Sequence, residues 1–160
     1  ESSFCVLEIG SGPGFFAKHL LSQCPDIFYT ALDFSEPMHE LSKSKLSSDE
    51  LARAEFVIQD FKQDDWNNSL DKFDAVIIHQ ALHELRHKEY ASQFHQQIKK
   101  LLKHDAIYLV CDHIFADEAM HNNELYMSKH EHFQCIKQAG YTDIELVKEI
   151  KGLCLFECYL

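Results

Sequence analysis

Residues 6–20, VLEIGSGPGFFAKHL, decide the fold of this chain. The apolar run that ends at Ile9 is typical of a buried strand, and apolar residues recur at helical spacing from Phe16 onward. Between them lies Gly10-Ser11-Gly12-Pro13-Gly14, which holds three of the five glycines in the chain. Such a bend lets a ligand approach the main chain closely and directs the free N–H groups of the helix start toward it. The stretch therefore predicts a strand, a ligand-binding bend and a helix.

The alternation of strand and helix continues along the chain. Two final apolar runs, residues 144–150 and 153–160, are joined by Lys151-Gly152, a spacing typical of a hairpin. The pattern predicts one α/β domain over residues 1–160, with a mainly parallel sheet and an antiparallel edge or insert. The other predicted strands are residues 4–9, 27–32, 56–58, 73–78 and 107–111, and the predicted later helices are residues 90–102 and 123–139.

Polar residues follow the predicted strands at one rim of the sheet. In parallel α/β sheets ligands bind beyond the carboxyl ends of the strands, where Gly10, Asp33, Asp60, His79 and Asp112 would all lie. An ionised carboxylate is only an acceptor, so Asp33 suits the hydroxyls of a ribose and Asp60 suits an adenine amine. Taken singly, each aspartate is equally well explained as a helix cap or turn residue.

Two ligand classes fit the glycine bend. A dinucleotide site would need the pattern G-x-G-x-x-G, but the sixth position counted from Gly10 is Phe15. Glu8, just before the bend, would repel a pyrophosphate and could instead pair with the ammonium group of an amino-acid ligand. An oxidoreductase with a nucleotide cofactor is therefore disfavoured.

Five segments resemble, in order and at natural spacing, the motifs of class I S-adenosylmethionine-dependent methyltransferases. Residues 6–20 resemble the first, glycine-rich motif of that family. The other four segments are ALDFSEPMHELSKSKL (31–46), EFVIQDF (55–61), FDAVIIHQALHEL (73–85) and KQAGYTDIELVKEIKG (137–152). The resemblance implies a doubly wound, Rossmann-like sheet of seven strands, mainly parallel, with one antiparallel strand from the C-terminal hairpin. It also implies that one or two N-terminal helices usual in the family are missing or trimmed here.

The resemblance implies that S-adenosyl-L-methionine is the cofactor. The glycine bend would hold its methionine end, Asp33 its ribose and Asp60 its adenine, with His79 near the sulfonium. The implied cofactor-binding residues are Glu8, Gly10, Ser11, Gly12, Gly14, Asp33, Phe34, Met38, Asp60, Phe61 and His79.

Eleven histidines raise the question of a metal site or a catalytic base. No H-E-x-x-H motif and no paired Cys and His spacing is present, so no metal is expected. A histidine near its ordinary pKa can remove a proton from a hydroxyl or amine acceptor. The predicted catalytic residues are His79, His83 and His113, which follow the fourth and fifth strands; the alternative is that they pack in the core or face water.

Charge and composition restrict the classes of partner that the chain is expected to bind. The net charge of −11 would repel a phosphate backbone, and no apolar run is long enough for a membrane span, so neither nucleic acid nor membrane is expected. Six cysteines without C-x-x-C spacing and without a secretory leader indicate a cytoplasmic location. The expected partner is a small-molecule methyl acceptor, bound near residues 114–127. Its identity and the oligomeric state stay open.

Two hypotheses for function remain. The first is an enzyme that transfers a methyl group to a small molecule by in-line displacement. The alternative is a non-catalytic, cofactor-binding domain that regulates a partner protein, because the sequence identifies no acceptor site and fold alone does not fix function.

Overall fold

The computed structural model of the protein describes residues 3–160, and its centre is a single seven-stranded sheet. The strands are β1 (Phe4–Ile9), β2 (Ile27–Asp33), β3 (Ala54–Ile58), β4 (Phe73–His79), β5 (Leu102–His113), β6 (Asp143–Ile150) and β7 (Leu153–Tyr159). Their spatial order is β3-β2-β1-β4-β5-β7-β6. Strand β7 is antiparallel to both of its neighbours, and the other four pairs are parallel. The predicted doubly wound, Rossmann-like mixed sheet is confirmed.

Helices connect the strands on both faces of the sheet. Among residues 3–160 the α-helices are α1 (Phe15–Gln23), α2 (Glu36–Lys45), α3 (Ser48–Leu51), α4 (Ala91–Lys99) and α5 (Lys129–Gln138). Two short 3-10 helices, Leu82–Leu85 and Lys88–Tyr90, follow β4. In the described part of the chain, every helix is too short or too polar to cross a membrane.

The predicted C-terminal hairpin is present and has a tight turn. Lys151 and Gly152 both have positive φ, 48° and 77°. A two-residue turn with both central residues at positive φ matches the right-handed twist of the strands that it joins. Strand β7 then inserts between β5 and β6, and its pairing aligns Asp112 with Cys154.

The direction of the crossovers reverses at β1. The connection through α1 leads to β2 on one side of β1, whereas β4 pairs on the other side. A sheet of this kind has a crevice between the diverging connections, at the carboxyl ends of the strands. Gly10 follows β1 and Asp33 ends β2, so both lie at this crevice.

Two predicted helices are shorter in the structure. The helix predicted over residues 90–102 is α4, and Leu102 instead begins β5, where it pairs with Phe73. The helix predicted over residues 123–139 begins only at Lys129, because Ser128 and Glu131 form a reciprocal capping box there. Residues 123–128 form turns and irregular backbone, and β5 continues through His113 instead of ending at residue 111.

Candidate functional site

The glycine bend is tied to the end of β2 by main-chain and carboxylate bonds. The amides of Gly10 and Ser11 both donate to the carbonyl oxygen of Leu32, at 2.8 and 3.1 Å. The Gly12 amide donates to Asp33 Oδ2 at 2.8 Å, and the Ser35 amide donates to Asp33 Oδ1 at 2.9 Å. Asp33 is therefore both a rim carboxylate and the group that fixes the bend.

The three glycines of the bend differ in what an added side chain would meet. A Cβ on Gly10 would lie 2.5 Å from the Cβ of Ala81, and a Cβ on Gly14 would lie 2.1 Å from Ser42 Oγ. At both positions a side chain would meet protein atoms, so packing within the protein favours glycine there. A Cβ on Gly12 would meet nothing within 4 Å.

A cavity of about 350 Å³ opens beside this bend, within the size range of small-molecule sites. It brings together six of the predicted cofactor-binding residues: Gly10, Asp33, Phe34, Met38, Asp60 and Phe61. The Lys62 Nζ lies 3.7 Å from Asp60 Oδ2 and 5.4 Å from the centre of the exposed Phe34 ring. The lining residues that sequence reasoning did not identify are Ser35, Lys62, Gln80, Ala81 and Glu84.

Five predicted cofactor-binding residues do not line the cavity: Glu8, Ser11, Gly12, Gly14 and His79. The Ser11 hydroxyl is buried and has no hydrogen-bond partner among the described residues. Glu8 is 2% exposed and accepts a hydrogen bond from the hydroxyl of the fully buried Tyr29. Burial raises the pKa of Glu8 to about 8, although the bond from Tyr29 opposes this shift and the charge of Asp33 adds to it.

The raised pKa of Glu8 predicts a loss of stability at high pH. In the unfolded chain the carboxyl ionises near its model value of 4.5, whereas in the folded protein it holds its proton to about pH 8. The free energy of unfolding should therefore fall as the pH rises from about 4.5 to about 8. Urea unfolding at pH 5, 7 and 8.5 should show a decline in the wild type that is much smaller in Glu8→Gln. Parallel declines in the two proteins would contradict the assignment.

Sequence reasoning named three histidines, and the structure pairs one of them with a carboxylate. The Nδ1 atom of His83 lies 2.8 Å from Asp112 Oδ1 and 3.1 Å from Oδ2, and the His83 amide donates to Oδ2 at 2.9 Å. The bond to Asp112 raises the pKa of His83 above its ordinary value, while partial burial opposes the rise. With Nδ1–H held by Asp112, the other ring nitrogen, Nε2, is the one free to accept a proton.

The other two histidines lie nearby in different environments. His79 ends β4 with its ring 5.7 Å from that of Phe16, and burial lowers its pKa. The main-chain amide of His113 donates to Asp112 Oδ1 at 2.9 Å. Tyr126, from the irregular segment before α5, places its ring 5.2 Å from the ring of His83.

The pairing of His83 with Asp112 is the feature that sequence reasoning missed. Asp112 was noted on the rim, but nothing in the sequence shows that the register of β4 against β5 brings it under the 3-10 helix that carries His83. The nearest signal is positional, since both residues follow adjacent strands. Within residues 3–160 no group of three or more His, Cys, Asp or Glu side chains is arranged to hold a metal ion.

The glycine bend, the acidic strand ends and the crevice at β1 define a Rossmann-like domain with a cavity at one rim. Residues 6–105, more than half of the chain, match the family model described as a methyltransferase domain, so the chain belongs to the methyltransferase-domain family. No curated protein sequence matches the chain.

Solved methyltransferase structures share the fold. Human N-acetylserotonin methyltransferase, solved with S-adenosylmethionine, is 18% identical with a TM-score of 0.75; the match covers 97% of this chain and 47% of that one. An O-methyltransferase family protein from Burkholderia thailandensis is 14% identical with a TM-score of 0.81, over 98% and 51% of the two chains. A glycopeptide N-methyltransferase with bound S-adenosylmethionine is 13% identical with a TM-score of 0.75, over 99% and 88%. The chain spans about half the length of the first two.

Proposed function

We propose that this domain binds S-adenosylmethionine at the rim and catalyses transfer of its methyl group to a small-molecule acceptor. The observation that carries the proposal is the convergence of Asp33, Asp60, Phe34 and Phe61 on one cavity beside the glycine bend. Two carboxylates beside two aromatic rings suit an adenosine, because carboxylates accept from sugar hydroxyls and amines while rings pack on the base.

The residues present fit the cofactor. Each Asp33 oxygen accepts one amide bond and has a lone pair left for a ribose hydroxyl. Asp60 Oδ1 accepts the Lys62 amide at 3.0 Å, which holds the carboxylate at the cavity wall. The open side of Gly12 and the unpartnered hydroxyl of Ser11 suit the methionine end.

The chemistry proposed for the chain's own residues is positioning and proton removal. The bound cofactor supplies an electrophilic methyl group. When an oxygen or nitrogen of the acceptor takes that methyl group, Nε2 of His83 would accept the proton that the acceptor loses. Asp112 keeps the His83 ring in the required orientation and stabilises its charged form through Nδ1. Among the three predicted catalytic histidines, this bond favours His83 over His79 and His113.

Replacement of Asp33 tests the cofactor assignment. Asp33→Ala should weaken S-adenosylmethionine binding by ~1–3 kcal/mol, or about 5- to 150-fold, because charge-assisted bonds to the ribose are lost. Calorimetry on the folded protein gives the affinity, and NAD serves as the competing ligand. Asp26→Ala is the matched control, since Asp26 is exposed and outside the cavity. Equal affinity in the wild type and Asp33→Ala would mean that the ribose does not bind there.

The non-catalytic alternative needs a different measurement. The full-length protein incubated with S-adenosylmethionine and a cell metabolite extract should release S-adenosylhomocysteine. Binding without release of that product, under any extract, would favour a regulatory domain over an enzyme.

A further inference from the structure

A buried histidine, His132, lies close to the pair formed by His83 and Asp112. Its side chain, on α5, is 1% exposed and stacks on Phe156 with ring centres 4.9 Å apart. It lines a small cavity of about 10 Å³ together with His83, Asp112 and His113. Neither of its ring nitrogens has a hydrogen-bond partner among the described residues.

If the His132 side chain only filled space, an imidazole there would destabilise the fold relative to an apolar ring. A buried donor or acceptor without a partner destabilises the fold, whereas a phenyl ring would stack on Phe156 without that cost. Burial lowers the pKa of His132 to about 4, with the charges of Asp112 and Glu131 opposing the shift. At neutral pH the ring is therefore uncharged, with one N–H donor and one acceptor nitrogen.

Asp112 has room for one more hydrogen bond. Three N–H groups donate to it: the His83 Nδ1–H, nearer Oδ1 at 2.8 Å than Oδ2 at 3.1 Å, the His113 amide to Oδ1 and the His83 amide to Oδ2. A carboxylate offers about four lone-pair sites, so one of them is free. The cavity that Asp112 and His132 both line has about the volume that one water molecule needs, and its lining supplies the two or more polar partners that such a water requires.

We propose that His132 is a positioning residue for His83, acting through one ordered water molecule that links its ring to the free lone pair of Asp112. The water fills the remaining hydrogen-bonding position of the Asp112 carboxylate and restricts its rotation. The carboxylate then holds Nδ1 of His83 in place and leaves Nε2 free to accept a proton. This role rests on the proposed function, in which His83 takes the acceptor's proton.

Other charged and titratable groups around His83 and Asp112 are accounted for. Glu84 Oε1 lies 3.7 Å from His83 Nε2, and the Lys88 ammonium is bonded to Glu131 at 2.6 Å. On the far side of His132, the Nδ1 atom of His95 lies 2.9 Å from the hydroxyl of Tyr108. None of these groups changes in the variants described below.

The test is an NMR titration of His83 in protein with labelled histidine, with its signal assigned from a His83→Asn sample. His132→Phe keeps the stacking on Phe156 and removes both ring nitrogens. In His132→Phe the Asp112 carboxylate loses the hydrogen bond from the water molecule. The carboxylate then stabilises the charged form of His83 more strongly, so the pKa of His83 should rise by about 0.5 unit. His132→Gln, which keeps an N–H donor, should restore most of the wild-type value. His130→Gln, on the exposed side of the same helix, should change nothing.

Each outcome supports or overturns the proposal. An identical His83 titration in the wild type and His132→Phe overturns it, as does a high-resolution crystal structure of the wild type with no water density between Asp112 and His132. Should His132→Phe fail to fold, the crystal structure of the wild type still decides. The titration needs neither cofactor nor acceptor, so its failure is separate from failure of the Asp33 test.

Discussion

His83→Asn is expected to lower kcat for methyl transfer by about 10²–10⁴-fold, the usual contribution of a general base. The asparagine amide can replace Nδ1–H as a donor to Asp112, so the carboxylate keeps a partner while the proton acceptor Nε2 is lost. Release of S-adenosylhomocysteine, measured with an acceptor found in the metabolite extract, gives the rate. Affinity for S-adenosylmethionine should change little, because His83 does not line the cofactor cavity.

The pH dependence of the methyl-transfer rate gives a second test of His83 as the base. Only uncharged His83 can take a proton, and its pKa is raised by Asp112. The wild-type rate should therefore climb with pH through that raised value and level off above it, and His83→Asn should lose this rise. His130→Gln serves as the exposed control. If His79→Asn or His113→Asn abolished activity while His83→Asn retained it, the base has been assigned to the wrong histidine.

Gly14→Ala is expected to reduce the free energy of unfolding by about 2–5 kcal/mol. The added Cβ would lie 2.1 Å from Ser42 Oγ and 2.7 Å from its Cα, so α1 and α2 would have to move apart. Overpacking of this kind costs ~1–3 kcal/mol, and the positive φ of 83° adds ~1–2 kcal/mol for any residue with a Cβ. Urea unfolding followed by circular dichroism measures the change.

Gly12→Ala is the matched comparison, because it adds the same atom to a position with open space around it. Its cost in stability should be only the backbone term of ~1–2 kcal/mol. Calorimetry should instead show weakened binding of S-adenosylmethionine, since the new methyl group points into the space proposed for the ligand. A Gly14→Ala protein as stable as Gly12→Ala would show that the contact between α1 and α2 is looser than described.

The sequence predicted the elements that depend on local chemistry. The glycine bend marks the end of β1, and Lys151-Gly152 marks a turn whose residues must both adopt positive φ. Aspartates at strand ends predicted the rim because parallel strands bring their carboxyl ends together. The start of α5 was placed too early because apolar periodicity runs through residues 123–128 and the capping box at Ser128 was not recognised.

The sequence does not predict features that depend on tertiary packing. The burial of Glu8 against Tyr29 follows from the register of β1 against β2, in which these side chains face the same layer. The pairing of His83 with Asp112 depends likewise on how β4 and β5 align. The sequence gives no sign that Gly14 faces Ser42 on another helix.

The insertion of β7 beside β5 has a consequence for how the protein is made. During translation β5 emerges from the ribosome well before β7, and until β7 arrives one side of β5 has no hydrogen-bonding partner. Nascent chains that wait in this state expose an unpaired strand edge, a route to aggregation that chaperones counter. Slower synthesis of residues 114–152, caused by codon choice or cold temperature, should lower the yield of folded protein. The finished molecule itself would be unchanged.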